Sequence, residues 1–352
     1  MSEYKIIDAM QISREKWWDF TDNNENCNIF STPYMYDVWN ATPGYKSFAF
    51  FVIDKNEEIK GLLAGHLESV SKGILSKIST RAVLMQSPVA LDDETLSSLL
   101  KHYLTFIKRK AVYTEIRNNY NTSAQKNIYD DLGFYYEDHL NILIDLRSSE
   151  DELWRKVYSK RKNNIRKARK YDITVRELSI NELSQAYGIL EDIYERINLP
   201  IVPFIFFEFA YKNNNSKTKM ISYGAYSDDV LIGTIFTLQY KDTIIDLYAG
   251  SLKDYYYKNP NDIIPWEVML LCKKEGYKYF DFGGAGKPGL NYGVRDYKKQ
   301  FGGEIVNFGR YYFYHSKPLF KIAETGFKTL QKINSIKSKT QKYQSSKFLI
   351  PI

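Results

Sequence analysis

Apolar and polar positions alternate along residues 48–70, FAFFVIDKNEEIKGLLAGHLESV, on either side of the polar turn DKNEE. A period of two around such a turn predicts a β-hairpin. RAVLMQSPVA then predicts a third strand, ended by Pro88. In LDDETLSSLLKHYLTFIKRK the period becomes that of an amphipathic helix, with acids in its first turn and bases in its last. There follow a strand (Ala111–Arg117), the polar loop NNYNT, a helix (Ser123–Leu132), a Gly133-Phe134 stop and a strand through Leu146. The second half repeats this order. MISYGAYSDDVLIGTIFTLQYKDTIIDLYAGS reads as strands joined by polar turns, and PWEVMLLCKKEGY as a helix with Pro265 at its start and Gly276 at its end. KYFDF predicts a strand, GGAGKPGLN a loop and YGVRDYKKQ a helix; after the Phe301-Gly302-Gly303 stop, EIVNFGRYYFYH predicts a last strand.

Strands, helix, strand, loop, helix, strand thus occur twice. The repeat predicts tandem α/β (α+β) domains, residues 1–150 and 151–316, with mixed sheets flanked by helices, followed by a C-terminal helix and basic tail over 317–352. A meander before the strand–helix–strand unit suits an acyltransferase-like fold better than a doubly wound nucleotide fold, which alternates β and α from the start.

Composition narrows the chemistry. The chain has 352 residues, 44% of them hydrophobic, enough for two packed cores. Cys27 and Cys272 lie far apart and the four histidines are isolated, so neither a disulfide framework nor a metal site is expected. The N-terminus lacks an apolar signal core and no stretch is long enough to span a membrane, so the expected location is cytoplasmic. Residues 317–352 hold eight lysines and one acid, Glu324, which accounts for the whole net charge of +7. The body of the protein is formally neutral, which weakens any argument for nucleic acid from net charge alone. The lysines of the tail predict contact with an anionic membrane surface.

The segment from Asp281 to Gly303, DFGGAGKPGLNYGVRDYKKQFGG, carries the chemistry. It is not a P-loop, because Lys287 is followed by Pro288 rather than a hydroxyl residue. Nor is it a dinucleotide fingerprint. By itself it fits a plain strand-to-helix connection with glycines at positive φ. The helix after it adds cations, Arg295, Lys298 and Lys299. A lysine beside a glycine loop can stabilise the oxyanion of acyl transfer. Its helix face reads as polar, so loss of Lys298 is expected to leave stability nearly unchanged. Gly284→Val is expected to harm activity more than Gly289→Ala because a β-branched residue resists positive φ.

FDFGGAGKP…YGVRDYKKQFGG resembles the C-terminal signature of the FemABX family, the peptidoglycan bridge-forming aminoacyltransferases, and their relatives in the acetyltransferase superfamily. YSKRKNNIRKARKYDITV (158–175) is similar to the family's basic helix, and IFSTPYMYDVW (29–39) to its N-terminal segment, although Val38 and Trp39 stand where muropeptide-binding relatives carry a lysine. The resemblance implies tandem acetyltransferase-like (GNAT-type) domains that move an aminoacyl group onto an amine. It implies catalytic roles for Lys298 and Tyr297, the latter a phenylalanine in the family. Substrate-binding candidates are Asp281, Gly283, Gly284, Lys287, Tyr292 and Arg295. On the basic helix, Arg161, Lys162 and Arg166 are candidates for a phosphate clamp, since nine cations and no acid lie between Arg155 and Lys170. Asp281 and Asp296 are the acids nearest the loop, and neither is an obvious general base.

No bound cofactor is expected. The donor is aminoacyl-tRNA or acyl-coenzyme A; the absence of an R/Q-x-x-G-x-G/A loop favours the former. The acceptor implied is a saccharide or peptide precursor of the cell envelope. Two alternatives stand beside this: an acyl-coenzyme A-dependent N-acyltransferase acting on an amino sugar in polysaccharide synthesis, and a non-catalytic module that binds envelope precursors.

Overall fold

The computed structural model describes residues 4–69, 79–322 and 324–326. The basic tail beyond Gly326, with the membrane contact expected of it, lies outside the described residues. The strands are β1 (Lys5–Asp8), β2 (Tyr45–Ile53), β3 (Ile59–Ser69), β4 (Thr80–Leu84), β5 (Val89–Ala90), β6 (Tyr113–Arg117), β7 (Tyr135–Glu137) and β8 (Leu140–Asp145). The second half adds β9 (Thr174–Glu177), β10 (Thr218–Ser227), β11 (Val230–Tyr240), β12 (Thr243–Ser251), β13 (Tyr279–Gly284), β14 (Glu304–Asn307) and β15 (Arg310–Tyr314).

They form two mixed sheets. One runs β1-β2-β3-β4-β6-β15-β7, with β5 on β3; the other runs β14-β8-β13-β12-β11-β10-β9. Each contains one parallel pair at its centre, β4 with β6 and β12 with β13. Helices cover them because their apolar faces are long enough to do so. Asp93–Ile107, capped by the Asp92 side chain, buries Leu96, Leu99, Leu100 and Tyr103 against the first sheet. Pro260–Lys274 buries Trp266, Val268 and Met269 against the second. A third apolar cluster joins the halves: Phe30, Tyr34, Met35 and Val38 of the N-terminal segment pack with Phe206, Phe207 and Phe236. Tyr34 also donates a 2.7 Å hydrogen bond to the Ala210 carbonyl.

The structure departs from the sequence reading in three places. The strand expected through Leu146 is two strands, β7 in the first sheet and β8 in the second. The last expected strand likewise divides into β14, paired with β8, and β15, which returns to pair with β6. The halves therefore exchange strands. The two crossings lock each other: Asn307 donates to Asp138 at 2.8 Å, the His139 amide donates to Asn307 at 3.1 Å, and the Gly309 amide donates to the His139 carbonyl at 3.2 Å. Pro265 lies inside its helix, which begins at Pro260. Proline has no amide to give the carbonyl four residues back. That carbonyl, of Asn261, instead accepts from the hydroxyl of Tyr297.

Candidate active site

The site lies where a strand pair opens. β12 and β13 are parallel and in register at Thr243↔Tyr279, Ile244↔Phe280 and Ile245↔Asp281, and then part. β13 turns away because Gly283 takes φ of +70° and its amide bonds the Asp281 carboxylate at 2.7 Å. Parting frees the carbonyls of Phe282 and Gly284. Lys298, in the last turn of the helix Gly293–Lys299, donates to both, at 3.1 Å in the case of Gly284. An ammonium group has three N–H donors, so one is left for a further acceptor.

Two carboxyls flank this ammonium. Burial pushes Asp246 and Asp281 up to about 6, an effect that the positive charge of Lys298 opposes and that mutual repulsion reinforces at Asp246. Asp246 stands at the meeting of two clefts. The wider, of 660 Å³, is mostly apolar and is walled by Tyr194, Tyr248, Tyr292, Tyr297 and Ile264, with Lys298 and Asp246 at its inner side. The narrower, of 360 Å³, runs between the halves and is walled by Trp39, His66, Arg117, Arg310 and Asp281. Both share the β12 segment Asp246–Tyr248 as a wall. A substrate entering each would meet the other at Asp246.

Residues 155–299 match the model of the acetyltransferase (GNAT) domain. No curated protein matches the chain significantly in sequence. Among solved structures, FemX is similar over 91% of this chain and 100% of its own, with a TM-score of 0.69 at 14% identity. L-PGS from Bacillus licheniformis aligns over 90% of this chain and 96% of its own, with a TM-score of 0.56 at 14% identity. A tandem GNAT protein from the clavulanic acid biosynthesis pathway aligns over 89% and 99%, with a TM-score of 0.56 at 10% identity. The chain has the FemABX-like tandem acetyltransferase fold.

Within that FemABX-like frame the residues singled out in the sequence divide into three groups. Lys298, Tyr297, Tyr292 and Asp281 line the clefts. Tyr297 is packed edge-on to Phe301 and holds the Asn261 carbonyl that Pro265 leaves free, which gives its hydroxyl a structural task. Lys298 is half-buried and bonded to two carbonyls, so it is not on a free polar face and its loss should not leave stability unchanged.

Gly283 and Gly284, which also line the narrower cleft, shape the loop with Lys287 and Arg295. Arg295 donates to the carbonyls of Lys287 and Leu290, while the Lys287 ammonium pairs with Glu137 at 2.6 Å. Tyr292 covers Gly286, where an added Cβ would come within 3.0 Å of its ring.

The third group, on the basic helix Ser159–Lys170, is apart from the clefts. Arg161 is buried in an ion pair with Asp262, bonds Gln300 at 3.1 Å and lies 4.5 Å from the Tyr297 ring centre. Its Nε and Nη1 donors are taken by Gln300 and Asp262. Lys162 bonds the Arg155 carbonyl at 3.1 Å, and Arg166 lies 5.5 Å from the Trp154 ring. Asp296 is exposed on its helix.

Sequence reasoning missed Asp246. The available signal was a lone acid between apolar neighbours in TIIDLYAGS, a strand otherwise poor in charge. Val38 is buried, and Trp39 stacks on His66 with ring centres 3.9 Å apart at the wall of the narrower cleft.

At Gly284 the expected effect has a different physical cause from the positive φ expected from the sequence. Gly284 does not take positive φ, whereas Gly289 does, at +77°. A Cβ at Gly284 would instead meet His139 Nε2 at 3.2 Å and Arg310 Nη2 at 3.5 Å; at Gly289 it would meet nothing. Gly284→Val is expected to cut turnover by about tenfold or more through displacement of these two side chains. Gly289→Ala should retain turnover and cost about 1 kcal/mol of stability for its left-handed backbone. Turnover and thermal melting of the two variants check this, and equal activity of both would show the Gly284 contact to be idle.

Proposed function

We propose that the protein transfers an acyl group, aminoacyl in the leading form, from an activated donor to an amine of a cell-envelope saccharide or peptide precursor. The observation that carries this reading is the Lys298 ammonium, bonded to the parted β13 and flanked by Asp246 and Asp281, at the junction of two clefts. The FemX-like fold and the acetyltransferase domain support it.

In this mechanism the donor's acyl group occupies the wider, tyrosine-walled cleft and the acceptor amine enters from the narrower one. The amine nitrogen attacks the acyl carbonyl and a C–N bond forms. Negative charge collects on the carbonyl oxygen, where the free N–H of Lys298 meets it. Asp246, ionised at neutral pH because its value is only about 6, takes the amine proton and is a better base than an ordinary carboxylate. Collapse of the adduct breaks the bond to the leaving oxygen or sulfur, which receives the proton.

Aminoacyl-tRNA is the donor proposed first, and acyl-coenzyme A the alternative. A single assay separates them: acceptor acylation that is abolished by ribonuclease assigns the former, and release of a free thiol the latter. Absence of turnover with either donor over a panel of muropeptide and amino-sugar acceptors would return the protein to a binding role.

A further inference from the structure

Three arginines share one buried carboxylate at the wall of the narrower cleft. Glu115 on β6 is only 4% exposed, yet Arg117, Arg310 and Arg81 all converge on it. Their charges hold its carboxyl down at about 2 against the opposing effect of burial. Arg81 is balanced by a second acid, Glu68, at 2.9 Å. Among the described residues Arg117 and Arg310 form no second ion pair; Glu137 stands opposite Arg310 in the β15–β7 ladder but pairs with Lys287. The two arginines stand directly opposite each other in the β6–β15 ladder, a placement of like charges that costs stability. Among the described residues, one Nη of Arg117 bonds only the thioether of Met85, at 3.2 Å, which is a weak acceptor.

The neighbouring histidine adds a second sign of unmet demand. Arg310 Nη2 lies 2.8 Å from His139 Nε2. A guanidinium only donates, so Nε2 accepts and the ring proton sits on Nδ1. That Nδ1 is buried without a hydrogen-bond partner. The cluster also borders the proposed chemistry, because Gly284, whose carbonyl Lys298 holds, faces both His139 Nε2 and Arg310 Nη2.

We infer that Arg117 and Arg310 form an oxyanion-binding subsite, which receives a phosphate or carboxylate group of the acceptor while its amine reaches Asp246. This rests on the acyl-transfer reading for the word acceptor, but not for the binding itself. The subsite lies on the first sheet and its returning strand, away from the basic helix where sequence reasoning placed a phosphate clamp. Planar guanidinium pairs favour bidentate contact with such groups, so arginine rather than lysine is the fitting residue type.

The test is calorimetric titration of the full chain with inorganic pyrophosphate and, separately, malonate, which needs no turnover. At least one should bind. Arg117→Met and Arg310→Met should each weaken binding by about tenfold or more, as expected for loss of a charge-assisted pair. Lys162→Met and Arg166→Met should leave it unchanged. Glu115→Gln is the decisive variant: it frees the guanidiniums and should tighten binding, and the anion should raise its melting temperature more than that of the unaltered protein. Preference for pyrophosphate assigns a phosphorylated acceptor and preference for malonate a carboxylated one. Failure of both anions to bind, binding that follows Lys162 and Arg166 instead, or a Glu115→Gln protein that folds but gains no affinity would overturn the subsite. Lack of turnover with intact binding would instead count against the acyl-transfer reading alone.

Discussion

Lys298→Met is expected to lower turnover by about 10²- to 10³-fold, the loss typical of removing a preorganised donor to an oxyanion. The substitution keeps the unbranched apolar stem as far as Cε and removes the charged, hydrogen-bonding Nζ. It should also cost about 1–3 kcal/mol of stability, because the carbonyls of Phe282 and Gly284 lose their partner. A third effect separates catalysis from packing. The Lys298 charge lowers the affinity of Asp246 and Asp281 for protons. Without it both carboxyls hold their protons to higher pH, so the acidic limb of the pH–rate profile should move upward. Steady-state kinetics across pH, with a melting curve for each variant, measure all three. Wild-type turnover in a folded Lys298→Met protein would end the catalytic assignment.

Asp246→Asn is expected to reduce turnover by about 10²- to 10⁴-fold while stabilising the protein at neutral pH. The sign follows from linkage. The folded protein holds this proton up to about 6, whereas the ordinary value is 3.8. The folded state therefore binds more protons across that interval, and stability falls as pH rises from about 4 through 6. At pH 7 the ionised carboxylate sits in a poorly solvated place. Its replacement by a neutral amide should recover about 1–2 kcal/mol, a part of the full value of the shift. Asp281→Asn provides the comparison. It shares the shift, but its amide oxygen can still accept from the Gly283 amide, so the turn and most of the turnover should persist, while loss of the charge that raises Asp246 should move the pH limb downward. Chemical denaturation at pH 5 and pH 8 gives the stability term, and the pH–rate profile the kinetic one. An Asp246→Asn protein that retains both its turnover and a limb near pH 6 would show that another group takes the proton.

The elements were legible where a pattern is local. The hairpin β2–β3, the helix Asp93–Ile107 and the run β10–β12 follow from alternation, capping and turn residues close in sequence. The divisions at Asp138-His139 and Phe308-Gly309 were not legible, because both flanks read as strand. Only the tertiary pairing decides that one flank joins each sheet. The same holds at Pro265. Its position inside the helix is tolerable because a hydroxyl distant in sequence, that of Tyr297, takes the carbonyl it leaves free.

For the site, the glycine loop and its basic helix were conspicuous in sequence and resemble a family signature, which led to Lys298. Asp246 and the Arg117–Arg310 pair were not conspicuous. Asp246 and Arg310 are single charges in apolar strands, Arg117 shares β6 with Glu115, and the neighbours that give each its setting come from other strands or from the opposite half. The basic helix was conspicuous in a different way. Its density of charge suggested a ligand, but its one buried cation, Arg161, is committed to Asp262.

The exchange of β8 and β15 makes the halves interdependent. Each sheet contains a strand encoded on the far side of the midpoint of the chain. A polypeptide severed between Asp145 and Glu150 would leave the second sheet without β8, the strand that bridges β13 and β14, and the first sheet without β15, which separates β6 from β7. Neither fragment could complete its hydrogen bonding alone. Expressed together, the two would behave as a split protein, each supplying the strand that the other requires, and activity would report their reassembly.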